Sequence, residues 1–292
     1  MVPTDVTLST GYKMPTLGLG VYENDECAEA CKIALLNGYR MIDSARFYKN
    51  EAQVGEGVRA SGVDRAGIFI SWFFLIVCAT ISIFLKSGYT ASKVYDPDYG
   101  LEKTAAAVND SIKNLGFSYY DLYLIHSPIG GKDLRLAAYK ALLDAKAAGL
   151  IHTVGVSNYG IKHMEEIREA GLETPAVNQI ELHPLCQQKP IVEYCKKHDI
   201  VVQAYTPLIR GATDNAVLQE ISKKYNKAPA QILVRWSLQN GFVPLPKSSQ
   251  ELRIISNGQV YDFDIASEDM AKLDALDRGK AGAVTWNPVD AE

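Results

Sequence analysis

Short apolar runs alternate with amphipathic segments along almost the whole chain, and this alternation limits the fold more than any other feature. Leu17–Tyr22 reads as a strand. A helix follows at about 25–37, with Ala28, Cys31, Ala34 and Leu35 on one face, and Asn37-Gly38 ends it. Met41–Ala45 is a second strand and 51–61 a second helix, and Ile68–Ile70 begins a third strand. The pattern then repeats: helix 101–115 before strand Tyr120–His126, Leu134–Ala148 before Thr153–Ser157, 161–170 before Val177–Glu181, and 188–198 before Ile200–Tyr205. Helices at 216–224 and 229–240 precede the strand Val243–Pro246, and 267–277 is the last helix. Repeated strand–helix units predict parallel strands joined by helical crossovers. An open doubly wound sheet would carry G-x-G-x-x-G after its first strand, but GLG at 18–20 continues as VYEND. The expected fold is therefore α/β, a (β/α)8 TIM barrel forming a single domain over residues 1–292.

Composition removes several function classes. The net charge of −4 gives no electrostatic case for nucleic-acid binding. Five cysteines, Cys27, Cys31, Cys78, Cys186 and Cys195, lack C-x-x-C spacing and read as free thiols of a reducing compartment. No paired Cys/His or H-E-x-x-H spacing points to a metal. The N-terminus has no basic-then-apolar targeting pattern, and the apolar run Trp72–Leu85 is shorter than the roughly 20 residues a membrane span needs. The expectation is a cytoplasmic monomer with no membrane or nucleic-acid partner.

Active sites of TIM barrels form on the loops after the C-terminal ends of the strands. Polar residues collect at those positions: Asp43, Tyr48 in the loop after it, His126, Ser157-Asn158, Gln179, Glu181, Tyr205 and Lys247-Ser248. Each alone has an ordinary explanation. Asp43 suits a turn or cap, Ser157-Asn158 a helix N-cap, His126 a satisfied core position, Tyr205 a buried aromatic, and KSSQELR a solvated helix start. Together they would line one face of one barrel.

Five motifs in order carry a resemblance: G-Y-R-M-I-D-S-A-R-F-Y-K-N-E at 38–51, D-L-Y-L-I-H-S-P at 121–128, V-G-V-S-N at 154–158, N-Q-I-E-L-H-P at 178–184 and P-K-S at 246–248. They resemble the aldo-keto reductase family, over nearly the whole chain. The resemblance implies reduction of a small aldehyde or ketone by NADPH, with a catalytic set Asp43, Tyr48, Lys93 and His126. Tyr48 would donate a proton to the carbonyl oxygen as hydride arrives. A free tyrosine titrates near ~10, and an adjacent lysine ammonium would lower that value. Asp43 would hold Lys93, and His126 would orient the carbonyl oxygen. The resemblance places the cofactor on Asp43, Ser157, Asn158, Gln179, Tyr205, Thr206, Pro207, Leu208, Lys247, Ser248, Ser249, Arg253 and Asn257. It places the substrate beside Tyr22 and His126. Lys247, Ser248 and Arg253 would clamp the 2′-phosphate of NADP(H). Ser256 stands where many members have glutamate. Val21 and Tyr22 stand where many have threonine and tryptophan.

One stretch departs from the pattern. Members of that family run from IFI through a residue or two to SK, whereas here SWFFLIVCATISIFLKSGYTA, residues 71–91, intervenes inside the third strand. Three readings compete: an excursion that binds lipid or a partner, a substitute strand of β-branched and aromatic residues, and a translated retained intron. The intron reading is favoured because a GT in the Ser71 codon and an AG across the Thr90-Ala91 junction would splice in frame to IFI-T-SKV. An AGT codon at Ser71 is required, and a TCN codon there would refute it. The function alternatives are correspondingly a nicotinamide-binding sensor without turnover, or an inactive product of such a gene.

Overall fold

The computed structural model describes residues 2–74 and 100–292. The chain opens with an antiparallel hairpin, β1 (Asp5–Thr7) and β2 (Lys13–Pro15). Eight parallel strands follow: β3 (Leu19–Gly20), β4 (Met41–Ala45), β5 (Phe69–Phe74), β6 (Tyr120–Ile125), β7 (Ile151–Ser157), β8 (Val177–Glu181), β9 (Val201–Tyr205) and β10 (Val243–Pro244). Each pairs with its neighbours in sequence order. The curled sheet comes back on itself where Gly20 bridges Lys247 in parallel and the Gly18 and Gly20 amides donate to Pro244 and Pro246. This is the expected (β/α)8 architecture.

The crossovers are helical: α1 (Cys27–Leu36), α2 (Glu51–Ser61), α3 (Leu101–Leu115), α4 (Lys132–Ala147), α5 (Ile161–Glu169), α6 (Lys189–Lys197), α7 (Ala216–Tyr225) and α8 (Pro229–Gln239), then α9 (Glu251–Gly258) and α10 (Ser267–Asp274). Helix α2 packs so closely that a Cβ on Gly57 would lie 2.3 Å from the Ala28 carbonyl oxygen of α1. Glycine is the residue that permits this approach.

Strand alternation divides the core in two. Met41, Phe69, Leu122, Leu124, Val177 and Val243 fill the barrel interior. Ile42, Ile70, Trp72, Tyr123, Ile125, Val154 and Val202 face the helices. This is the period of two that side chains follow along a strand. The N-terminal hairpin closes the interior from below with Met14 and the adjoining Leu8, both buried.

Most element boundaries agree with the sequence within a residue or two. The hairpin is new, because three-residue runs such as DVT and KMP carry no readable period. Helix α9 is also new as an element, although KSSQELR was expected to start one. The first barrel strand contracts from Leu17–Tyr22 to Leu19–Gly20. The third strand does not break at Ser71. It continues to Phe74, so the first residues of the apolar stretch take strand positions, pairing with Asp43–Ala45 of β4 and Leu122–Ile125 of β6. For these four residues the substitute-strand reading describes the backbone. The other insertion readings and the return to SK at 92–93 concern residues outside those described.

Candidate active site

At the C-terminal ends of the strands lies a cleft of about 1340 Å³. Strand parity explains its floor. Asp43 lies between Met41 and Ala45, which both belong to the inner core, so its carboxylate points into the barrel. Ser71 pairs directly with it across β4 and β5, and the Ser71 hydroxyl donates to Asp43 Oδ1 at 2.5 Å. Gln179 Nε2 donates to the same oxygen at 3.1 Å and also to Gln203 Oε1 at 2.9 Å. A buried polar chain thus crosses the barrel beneath the cleft.

Tyr48 ends a 3-10 turn, Arg46–Tyr48, that leaves β4 directly. Asn50 fixes this loop. Its Oδ1 accepts from Ser44 at 2.6 Å and its Nδ2 donates to the Val21 carbonyl at 2.9 Å. The Tyr48 ring meets Tyr22 edge-on at 4.9 Å and His126 at 6.3 Å between centroids. His126 leaves the end of β6, and its carbonyl accepts from Asn158 Nδ2 at 2.9 Å. Asn158 occupies a left-handed backbone conformation, φ 60°, which asparagine tolerates better than most residues. Ser157 Oγ donates to the Gln179 carbonyl at 2.8 Å. The Tyr205 hydroxyl lies 2.8 Å from Asn158 Oδ1 and 3.0 Å from the Trp286 carbonyl.

Thr206, Pro207 and Leu208, which follow Tyr205, line the cleft, as do Lys247, Ser248, Ser249, Arg253, Ser256 and Asn257. Every site residue expected from the sequence and present among the described residues therefore borders one cleft, except Glu181. That residue is wholly buried behind it. Lys93 lies outside the described residues. The register position two beyond Ser71 belongs to Phe73, opposite Ala45 and Leu124.

The chain and its fold have counterparts among known proteins. The Aldo/keto reductase family model matches residues 7–278. A glyoxal reductase of Bacillus subtilis is 42% identical over 94% of this chain and 92% of its own length. Methylglyoxal reductase DkgA of Escherichia coli is 36% identical over 95% of each. The solved structure of a Gox0644 point mutant in complex with NADPH superposes with a TM-score of 0.87 at 34% identity, covering both chains completely.

The chain belongs to the aldo/keto reductase family.

Within this family member, burial and charge set the site's titration. Burial raises Asp43 from 3.8 to about 7, against the hydrogen bonds from Ser71 and Gln179. Burial also raises Tyr48 well above its ordinary value, and Asp43, Tyr22, Tyr205 and Glu23 add to the rise. Burial lowers His126 to about 4, so its imidazole is neutral at pH 7. The Asp43 shift gives a signed prediction. Between pH 3.8 and about 7 the folded chain holds a proton that the unfolded chain has lost, so stability falls as pH rises through that window. Asp43→Asn keeps an oxygen to accept from Ser71 and Gln179 but cannot ionise. Its Tm relative to the parent is expected to climb from pH 4 to pH 8, by an amount equivalent to no more than about 4 kcal/mol. A pH-independent Tm difference would contradict the raised pKa of the buried carboxylate.

Several lining residues were not legible in the sequence. Phe47, Arg210 and Trp286 border the cleft, with Phe47 and Trp286 more than half exposed. Phe47 could have been suspected from its place beside Tyr48. Arg210 lies in a 3-10 turn and Trp286 in a loop, neither with a distinguishing pattern.

Proposed function

We propose that this aldo/keto reductase reduces small aldehydes and ketones to alcohols with NADPH, using Tyr48 as the proton donor. The observation that carries the proposal is the convergence of the Tyr48 and His126 rings on a cleft that three cationic side chains also line. Arg210, Lys247 and Arg253 border that cleft, and none forms an ion pair with a carboxylate among the described residues. Lys247 Nζ donates to the Glu23 carbonyl at 3.1 Å. Cations left without acidic partners suit a phosphate-bearing ligand, so the donor set fits NADP(H). That cofactor supplies hydride to the carbonyl carbon.

The chain's own residues do the rest. Ser157, Asn158, Gln179 and Tyr205 hold the nicotinamide end. Tyr48 donates its hydroxyl proton to the carbonyl oxygen, and neutral His126 orients that oxygen by a hydrogen bond. Tyr22, Phe47 and Trp286 give the cleft exposed aromatic lining that suits the substrate. Glyoxal and methylglyoxal, named in the relatives' activities, are the first compounds to test. Consumption of NADPH that depends on one of them supports the proposal, and none with any aldehyde tried would oppose it. Lys247→Ala and Arg253→Ala are each expected to weaken NADPH binding about 10- to 100-fold while changing NADH binding far less, as for the loss of one charge-assisted hydrogen bond. Equal losses for both dinucleotides, measured by calorimetry, would move the 2′-phosphate away from these residues.

One observation favours a second reading, a nicotinamide-binding barrel without turnover. Among the described residues, the charges that act most strongly on Tyr48, led by Asp43, all raise its pKa. Lys93 is the cation that the family resemblance assigns to lower it. NADPH binding without turnover in this chain would favour the second reading.

A further inference from the structure

Glu181 is wholly buried, and its carboxylate receives donors from a distant part of the chain. The Val284 amide donates to Oε1 at 2.6 Å and the Thr285 amide to Oε2 at 3.2 Å. The Thr285 hydroxyl also donates to Oε2. His183 Nε2 lies 3.0 Å from Oε1. Burial alone would raise this carboxyl group, but the bonds from His183, Thr285 and Val284 outweigh it and hold the pKa below the usual value. A buried carboxylate with four donors is a fixed anchor, because a buried charge is tolerated only when its oxygens are satisfied.

The anchored segment leads straight into the cleft. Thr285 and Trp286 border it, and the Trp286 carbonyl lies 3.0 Å from the Tyr205 hydroxyl. Upstream, Gly282 sits so tightly that a Cβ there would lie 1.7 Å from the Leu185 carbonyl oxygen. Downstream, His163 Nε2 lies 2.7 Å from the Ala291 carbonyl, and buried Arg135 donates to the Glu292 carbonyl at 2.9 Å. Trp286 itself is 51% exposed and belongs to neither core cluster, so its position depends on these ties.

We propose that Glu181 is a positioning residue for the carbonyl pocket. It holds residues 284–286 against the barrel so that the Trp286 side chain forms one wall of the substrate end, and it thereby favours flat aromatic carbonyl compounds over short aliphatic ones. This inference rests on the assignment of the Tyr48–His126 end to the carbonyl, and the test therefore uses binding rather than turnover.

Thr285→Val removes one donor to Glu181 and leaves both backbone donors in place. Glu181→Gln removes the charge from all of them. Acrylamide quenching reads the wall, because Trp72 and Trp236 are buried and Trp286 is exposed. Hydrogen exchange at the 284 and 285 amides reads the anchor. Both readouts are expected to rise in both variants, and exchange by about 5-fold or more in Thr285→Val, the effect of losing one ordinary hydrogen bond. In the NADP+-loaded protein, which cannot reduce an aldehyde, the ratio of benzaldehyde Kd to propanal Kd is expected to rise by a similar factor. Trp286→Ala should raise the same ratio without accelerating exchange at 284 and 285. Unchanged exchange in Thr285→Val would overturn the anchor. Faster exchange with an unchanged Kd ratio would overturn the pocket wall. A chain that turns over no aldehyde yet shows the expected exchange and Kd ratio would leave this inference standing while the proposed catalysis failed.

Discussion

Deleting residues 71–90 is expected to raise kcat/KM for aldehyde reduction by about 10²- to 10⁴-fold, the range a well-tuned general acid contributes. The reason is register. In the present chain Ser71, Trp72 and Phe73 take strand positions opposite Asp43, Ser44 and Ala45. The deletion joins Ile70 to Ala91, so Ala91, Ser92 and Lys93 inherit those positions in turn. Lys93 would then stand opposite Ala45, one residue before the 3-10 turn that carries Tyr48. Position 71, two residues earlier, already touches Asp43. A lysine between Asp43 and Tyr48 reverses the local electrostatics: its ammonium pairs with the carboxylate and lowers the phenol's pKa. The deletion also replaces Trp72, whose fully buried ring packs 5.5 Å from Tyr120, with a serine. Large-to-small changes of that kind cost about 3–5 kcal/mol when the space does not refill. Activity is thus the informative readout, and thermal stability is expected to move against it. Equal kcat/KM in the parent and the deletion variant would refute the register argument.

Tyr48→Phe, made in the same deletion background, is expected to lower kcat by at least about 10²-fold while leaving the NADPH Kd within about 2-fold. The ring keeps its edge contacts with Tyr22 and His126, so the cleft retains its shape. Only the proton that meets the developing alkoxide is lost. Residual turnover near the parent level would assign the acid elsewhere. Neutral His126 would be the next group to test, since it is the other polar ring at that end of the cleft.

Much of the fold was written in local pattern. The runs MIDSA and VNQIE became strands with the boundaries expected of them, and 51–61 and 101–115 became helices likewise. In these segments period and boundary signals agree, and tertiary contacts reinforce them. The hairpin at 5–15 was not legible, because its strands are held by what they cover, namely the interior residues packed around Leu8 and Met14. Candidate site residues were legible where they terminate strands, as Asp43, His126 and Gln179 do. Trp286 was not, because a loop carries no period and its neighbours in space are distant in sequence. Glu181 was recognised as a strand-end residue, but its partners Val284 and Thr285 lie about a hundred residues further on.

The sequence by itself determined the order of strands and helices, their parallel sense and the end of the barrel where polar groups gather. Those follow from periodicity and chain connectivity, which are local properties. Only the tertiary structure decided that Ser71 takes a strand position and bonds Asp43, with Phe73 at the register place two residues on. Register is set by pairing with β4 and β6 on either side. Any apolar run that follows Ile70 can satisfy those backbone bonds, whether or not it brings the lysine that the motif places at 93.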